Sequence, residues 1–176
     1  GLMKVKHEEW GRLASLPAAL RVADEVIVLD HDSDDSTPDI VREAQSAFPG
    51  RVHHLIHTDP VWTEASMRQR MVDAARDLGG THFYVIDADE VLTGNLLGDG
   101  RGGLRSMLSS LDPGQALWLP WLAMWRSLDR YRDDESVWSN NFMLFAFRDA
   151  PGVTYAPRDG GYDIHARRPF GIWKCD

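Results

Sequence analysis

The stretch THFYVIDADEVL (residues 81–92) joins an apolar run directly to three acids. Residues 83–86, FYVI, are aromatic and β-branched, which is typical of a strand inside a sheet. Asp87, Asp89 and Glu90 follow at once. Carboxylates are costly to bury unless a positive group lies beside them. The stretch therefore predicts a buried strand that ends at a charged site, and this site needs a source of positive charge.

Strands and helices alternate along the chain before this stretch. Apolar runs predict strands in LMKVKHEE (residues 2–9), DEVIVLD (24–30) and RVHHLIH (51–57). Three helices are predicted around these strands. The first has an apolar face at Trp10, Leu13, Leu16 and Leu20, and the second starts near Pro38 after an N-cap at Ser36 or Thr37. The third covers residues 64–78. This alternation predicts an α/β fold with right-handed crossovers and a mainly parallel central sheet flanked by helices.

The pattern changes in the second half of the chain. A short helix is predicted over residues 104–111, followed by two apolar strands in QALWLPWLAMW (115–125) and NNFMLFAFR (140–148). These strands are expected to add mixed or antiparallel pairing to the sheet, and residues 158–171 to form a loop. The four tryptophans at 118, 121, 125 and 138 favour an aromatic core, with a sugar-stacking surface as the alternative.

Composition limits the function classes. The chain has 176 residues, which suits one domain, and its net charge of −8 argues against general nucleic-acid binding. Its one cysteine excludes an internal disulfide. No apolar run is long enough to span a membrane, and residue 1 does not begin a recognisable signal peptide, so we expect a cytoplasmic protein. The abrupt end at Asp176 suggests that the C-terminus is truncated.

Acids lie where two predicted parallel strands end: Asp30 after the second strand, and Asp87-Ala88-Asp89 after the fourth. Ligands of open α/β sheets bind beyond these carboxyl ends. If the backbone stays extended, Asp87 and Asp89 project to the same side. Two carboxylates suit Mg²⁺ or Mn²⁺, which recruit substrate phosphates as further ligands. The alternative to a metal site is a solvated acidic loop. His53, His54 and His57 lie in and after the third predicted strand and are expected to be partly exposed polar residues.

Four segments resemble the family 2 glycosyltransferases, whose nucleotide-sugar-binding domain has the GT-A fold. They are DEVIVLDHDSDDSTPDIV (residues 24–41), YVIDADEVL (84–92), VKHEEW (5–10) and SMRQRMVDAA (66–75). Typical family members carry V-V-D-D-G-S-x-D-x-T, a later L-D-A-D-E, an early V-K-N-E and a helix with A-R-N-x-A-L-x-x-A. The resemblance covers about residues 3–95.

The resemblance implies one GT-A-like domain over residues 1–176, with a nucleotide-sugar-binding half (1–95) and an acceptor-side half (96–176). It implies a metal-dependent glycosyltransferase that inverts the anomeric carbon and uses Mn²⁺ or Mg²⁺. The implied metal ligands are Asp89, Asp87 and His165. The implied donor contacts are Asp30, His31, Asp32, Asp35, Arg68, Asp87, Ala88 and Arg167. Of these, Arg68 and Arg167 are expected to contact phosphates, together with Arg168. A uridine diphosphate sugar is the first candidate donor. His31 replaces a family aspartate, however, and leaves the base open. The acceptor is a glycan, a lipid-linked molecule or a small molecule.

The general base is expected to be a carboxylate well after the D-x-D motif. The candidates are Asp129, Asp133, Asp134, Glu135 and Asp163, with Asp134 preferred and Asp163 as the alternative.

Two alternatives remain open: an enzyme of another class and a domain without enzymatic activity. A sugar-phosphate nucleotidyltransferase usually has a glycine-rich, lysine-bearing loop after its first strand, and VKHEEWGRL lacks one. A phosphatase of the haloacid dehalogenase type carries its D-x-D near the N-terminus, whereas here the motif lies mid-chain. The non-enzymatic alternative is a degenerate domain that binds sugar or a protein partner through its tryptophans.

Overall fold

A computed structural model describes residues 1–9, 15–61, 63–98, 103–127, 129–136, 139, 141–156 and 167–174. Helices and strands alternate through its first half. The order is β1 (Leu2–Val5), α1 (Ser15–Val22), β2 (Val26–Asp30), α2 (Thr37–Ala47), β3 (Val52–Ile56), α3 (Glu64–Asp77) and β4 (His82–Tyr84). The second half contains a 3₁₀ helix (Gly94–Leu97), α4 (Leu104–Ser109), β5 (Gln115–Trp121), β6 (Asn141–Arg148) and β7 (Trp173–Lys174).

The first three strands form a parallel sheet in the order β1-β2-β3. All five residues of β2 are buried. Val26 and Val28 enter one apolar core, while Ile27 and Leu29 enter the other. Because both faces of the strand are covered, Val26–Leu29 are all apolar and the sequence lacks alternation. The predicted parallel βαβ arrangement is confirmed for these strands.

The remaining strands form a second sheet in the order β4-β6-β5-β7. β6 pairs antiparallel with both β4 and β5, and β7 pairs parallel with β5. The two sheets meet where Leu2 and Val85 form a parallel bridge, next to a 3.2 Å hydrogen bond from Ile86 N to Leu2 O. The antiparallel strands expected in the second half are therefore confirmed. The parallel ladder is shorter than predicted, because β4 makes its main ladder with the eight-residue β6.

Helices cover both faces. The core on one face contains apolar residues of α1, α2 and α4, including Leu16, Val41 and Leu104. The core on the other face is built on α3, with Met67 and Met71 fully buried. Residues 10–14 lie outside the described part, so Trp10 and Leu13 of the predicted first helix are not described. No helix within the described ranges is long and apolar enough to cross a membrane.

Two features of the fold were not predicted. The 3₁₀ helix Gly94–Leu97 follows the acidic turn, and the short strand β7 follows the predicted loop. Phe170, near the end of that loop, forms an antiparallel bridge with Thr154, which precedes the loop. These pairings depend on contacts between segments far apart in sequence, and local periodicity does not report them.

A substitution of Gly171 would test how tightly the backbone packs next to β7. Gly171 adopts φ 77°, and a Cβ atom there would lie 2.5 Å from the carbonyl oxygen of Gly152. We expect Gly171→Ala to lower the free energy of unfolding by about 2 kcal/mol or more, from left-handed strain plus the clash. Gly50 is the matched control, since it has φ 74° but open space around the same position. Gly50→Ala should cost only about 1 kcal/mol. Equal losses in urea denaturation would contradict the expected clash.

Candidate functional site

The predicted acidic residues lie at one edge of the sheet. Asp30 ends β2, and Asp87 follows β4. β1 lies between these strands, because Val5 is the register partner of Asp30 and Leu2 bridges to Val85. The carboxyl ends of parallel strands meet at the same edge, where α/β sheets bind ligands.

Three cations surround the carboxylate of Asp87. Arg68 Nη2 lies 3.2 Å from Oδ1, Lys4 Nζ lies 3.8 Å from the same oxygen, and Arg167 Nη1 lies 3.1 Å from Oδ2. Burial by itself raises the pKa of Asp87, but the neighbouring cations, led by Arg68, outweigh it and hold the pKa below its usual value. The positive charge that the sequence required is therefore supplied by side chains from β1, α3 and residue 167.

Arg68 is buried as an ion pair with Glu64 on α3. The two side chains are 1% and 2% exposed, and Arg68 Nε donates to Glu64 Oε1 over 2.7 Å. Their spacing of four residues places them on one face of the helix. The diphosphate contact predicted for Arg68 stays a prediction. It would require a ligand to reach a side chain that is covered on all sides here.

Arg167 has all five N–H groups engaged. Nε donates to Leu144 O, Nη1 donates to Asp87 and Glu90, and Nη2 donates to Glu90 and Val85 O, at distances of 2.7–3.1 Å. The two bonds to Glu90 form the bidentate geometry typical of arginine and carboxylate. A phosphate would have to displace one of these carboxylates, so the phosphate contact predicted for Arg167 also stays a prediction.

These side chains form a charge cluster of three cations and three carboxylates, namely Lys4, Arg68, Arg167, Glu64, Asp87 and Glu90. Its formal charges sum to zero, which removes the cost of burying any one of them unpaired. The cluster connects β1, α3, the turn after β4 and residue 167. It therefore fixes the position of Asp87 against the sheet.

Asp87 and Asp89 have different environments. The chain turns directly after Asp87, because Glu90 N donates to Asp87 O over 3.0 Å and Asp87 N donates to Glu90 Oε2. Ala88 is buried, and its carbonyl accepts a 3.0 Å hydrogen bond from Ser15 Oγ. Asp89 is exposed. The extended backbone assumed for a side-by-side pair of carboxylates therefore ends at Asp87.

Asp30 is buried in a tight turn. Its side chain is 1% exposed, and Oδ1 accepts hydrogen bonds from Ser33 N at 3.0 Å and Ser33 Oγ at 2.6 Å. His54 Nε2 lies 3.4 Å from Oδ2, at the long limit of a hydrogen bond. Burial raises the pKa of Asp30, but the contacts with His54 and Ser33 outweigh it and hold the pKa below its usual value.

The rest of the acidic turn binds the loop after β1. His7 N, Glu8 N and Glu9 N donate in turn to Ser33 Oγ, Thr37 Oγ1 and Asp35 Oδ2, at 3.0, 2.7 and 3.3 Å. Side chains from the turn thus satisfy consecutive backbone donors, which explains its composition without a ligand.

The predicted donor contacts in this turn differ in how accessible they are. Asp35 binds protein backbone, and its Oδ1 also accepts from Thr37 N at 2.9 Å. Asp32 adopts φ 50° and is exposed. A ligand can reach the Asp32 side chain without displacing a contact described above.

His31 faces the interior. It is 3% exposed, and its Nε2 lies 2.6 Å from the carbonyl oxygen of Asp59. A carbonyl only accepts, so Nε2 carries the proton. The ring lies 5.4 Å from that of His57. Burial, followed by the charges of His31 and Arg70, lowers the pKa of His57.

The sequence interpretation missed the contacts of His54 and His57. Both were expected to be partly exposed polar residues, and both are partly exposed, but their contacts were not foreseen. The predicted position of β3 beside β2 could have indicated these contacts, because it places the histidines of β3 and the residue after it next to Asp30 and His31, and Asp30 pairs in register with Ile56. His54 meets Asp30, and His57 meets His31.

The predicted acceptor-side residues are only partly described. Asp134 is exposed, and hydrogen bonds from Arg132 and then Ser136 lower its pKa to about 2. Such a carboxylate is a weak proton acceptor, because an efficient general base has a pKa near the working pH. Its role as the base stays a prediction. Asp163 and His165 lie outside the described residues.

Comparison with known proteins adds no relative. No protein-family model matches the chain, and no curated protein matches it. The likeness to family 2 glycosyltransferases therefore rests on the sequence motifs.

The two aspartates of the candidate metal site differ in how well they suit a divalent ion. Asp89 fits, because its exposed carboxylate is a hard oxygen donor of the kind that Mg²⁺ and Mn²⁺ bind together with phosphates and water. Asp87 fits poorly, since both of its oxygens already face cations. Among the side chains that the structure describes, no group of three or more His, Cys, Asp or Glu could hold a metal.

The buried ion pair gives a stability prediction. Arg68→Met should lower the free energy of unfolding by about 3–5 kcal/mol, because the buried Glu64 loses its hydrogen-bonded cation and keeps only Lys4, whose Nζ lies 3.7 Å away. The double variant Glu64→Gln, Arg68→Met should recover much of this loss. Arg70→Met, at an exposed position of α3, is the control and should change little. Urea denaturation measures all three, and a double variant as unstable as Arg68→Met would contradict the assignment.

Asp30 gives a pH prediction. Its folded pKa lies below the ordinary 3.8, so the stability it contributes is fully present above that pH and is lost as the pH falls through the folded value. The stability difference between the wild type and Asp30→Asn should therefore be large at neutral pH and shrink in acid. Urea denaturation across this range measures it, with the exposed Asp112→Asn as control. A difference independent of pH would refute the expected ionisation.

Proposed function

We propose that this protein is a metal-dependent glycosyltransferase with a GT-A-like nucleotide-sugar-binding domain. It transfers a sugar from a nucleoside diphosphate donor and inverts the anomeric carbon. The observation that carries the proposal is the placement of Asp30 and Asp87 on either side of β1, at the carboxyl edge of the sheet. Both have pKa values below their ordinary ones, so both are charged at neutral pH. The motif order along the chain supports the same function.

Asp89 is the proposed metal ligand. The chemistry that bound Mg²⁺ or Mn²⁺ supplies is neutralisation of the leaving diphosphate. The charge cluster has a separate role: it holds the turn around Asp89 through Asp87 and Glu90, whose bonds to Arg167 fix both ends of that turn. Because the oxygens of Asp87 already face protein cations, the exposed carboxylate of Asp89 is the one open to the ion. His165 is proposed as a further ligand.

The acidic turn is proposed to contact the nucleoside. Asp30 is ionised but covered, so it acts by shaping the turn, and the exposed Asp32 is left to meet the ribose or base. His31 points inward to Asp59 O, which removes it from direct contact with a base in this arrangement. A uridine diphosphate sugar is the first donor to test. The protein is proposed to act in the cytoplasm. The acceptor class and the base, Asp134 or Asp163, remain part of the proposal.

A second function is favoured by one observation. Arg68 and Arg167, the proposed phosphate contacts, are both committed to protein carboxylates. This arrangement suits a non-catalytic domain of the same fold, which binds a sugar or a protein without a diphosphate. The two functions differ in whether a metal and a nucleotide bind together.

A thermal-shift panel tests the proposal. UDP, GDP, ADP, CDP and dTDP, with and without Mn²⁺ or Mg²⁺, should raise the melting temperature only when the metal is present. Binding at one hundred times the dissociation constant stabilises by about 2.7 kcal/mol, which is a shift of several degrees. Asp89→Ala should abolish the shift. Asp77→Ala, at the exposed far end of α3, should leave it unchanged.

Two outcomes would contradict a metal-dependent transferase. The first is a shift of equal size in Asp89→Ala, or without metal. The second is no shift with any nucleoside diphosphate, which would favour the non-catalytic domain. Titration calorimetry with the same nucleotides separates weak binding from no binding.

A further inference from the structure

The segment after β3, residues 57–61, is held against the acidic turn that follows β2. His57 N donates to Asp30 O over 2.7 Å, and His31 Nε2 donates to Asp59 O over 2.6 Å. The rings of His31 and His57 also lie 5.4 Å apart. Together, His31, His57 and Asp59 form a histidine latch between the two segments.

The ring of His57 lies where a second proton is unfavourable. Arg70 Nη1 lies 3.5 Å from Nδ1, and a guanidinium only donates, so Nδ1 carries the lone pair. Nε2 is buried and has no hydrogen-bond partner among the described residues. An imidazolium has an N–H group on both nitrogens. Protonation would therefore place a second N–H, and a positive charge, directly against the guanidinium of Arg70.

The titratable and charged groups around this ring come from several elements. They are His31 in the turn after β2, Arg70 on α3, Asp59 in the same segment, Lys6, which binds His31 O from the loop after β1, and the pair of His54 and Asp30. Burial, followed by the charges of His31 and Arg70, lowers the pKa of His57 below its ordinary 6.5, against the opposing charge of Asp59. The surroundings therefore favour the neutral ring.

We propose that the latch is acid-sensitive: protonation of His57 separates its ring from His31 and frees residues 57–61 from the acidic turn. In the open arrangement the ring reaches water, where its proton affinity is the ordinary one. The stability of the closed latch is then fully present above pH 6.5 and is lost as the pH falls through the folded value. Residues 58–61 are already exposed, so the segment can move without opening a core.

The latch holds the turn that presents the exposed Asp32. Opening of the latch in acid would therefore weaken nucleotide binding at this turn, a consequence that rests on the proposed function. The latch itself consists of protein contacts alone, and it can be tested without a ligand.

Amide hydrogen exchange over a pH series tests where the chain opens. After correction for the intrinsic pH dependence of exchange, the protection factor of the His57 amide should fall several-fold between about pH 7.5 and 5.5, because its bond to Asp30 O is released. The Val26 amide is the internal control, since it donates to Arg51 O over 2.8 Å at the other end of the same strand pair. Its protection factor should stay constant.

Three variants test whether the proton on His57 causes the opening. His57→Phe keeps a ring against His31 but takes no proton, so protection at residue 57 should no longer depend on pH. His53→Phe is the matched control, because His53 pairs with the carboxylate of Glu25 and should leave the acid response unchanged. Arg70→Met removes the guanidinium and should move the titration midpoint of the His57 ring protons, followed by NMR, to higher pH.

Four results would overturn the proposal. They are a His57 amide that stays protected in acid, an equal loss of protection at Val26, acid opening of His57→Phe as in the wild type, and a titration midpoint that Arg70→Met does not move. The last of these decides the question even if His57→Phe does not fold, since Arg70 is exposed. None of these measurements uses a nucleotide or a metal, so their failure is distinct from a failure of the proposed function.

Discussion

The neutralisation of Asp87 is the constraint on which the site depends. A carboxylate directly after a buried strand is unstable unless opposite charge is close to it. Lys4, Arg68 and Arg167 supply that charge from positions far apart in sequence. Because each of these cations also contacts a second carboxylate, the cluster balances three positive charges against three negative ones. Removing one member would therefore leave an opposite charge of the cluster buried without full compensation, which lowers the free energy of unfolding.

This balance separates two kinds of acid at the edge of the sheet. Asp30, Asp35 and Asp87 are held by protein groups and shape the backbone around them. Asp32 and Asp89 are exposed at the same edge. A motif that places several acids together can therefore serve the fold and a ligand at once. Structural acids set the turn, and exposed acids are presented by it.

The second half of the chain combines a second sheet with a different kind of surface. β6 is buried where it packs against the body, as Leu144 shows, but beyond β5 the side chains of Leu122, Met124 and Tyr131 are exposed. The aromatic core expected from the tryptophans is present in part, since Trp118 packs against the second core while Trp125 is half exposed. The change occurs where the two strands leave the sheet, because no helix covers them there among the described residues.

The sequence by itself determined the elements whose residues act locally. The unbroken apolar run of β2, the periodicity of α3 and the glycines after it specified those elements to within a residue or two, since strand and helix periods are local properties. It also placed Asp30 and Asp87 at strand ends.

Only the tertiary structure decided what each charge does. The pairing of Arg68 with Glu64 is visible as a spacing of four, but its burial is not. The contact of Arg167 with Asp87 spans 80 residues, and the turn that separates Asp89 from Asp87 depends on Glu90 and Arg167 together. Long-range electrostatic pairing leaves no periodic signal, and it was therefore beyond prediction from one chain.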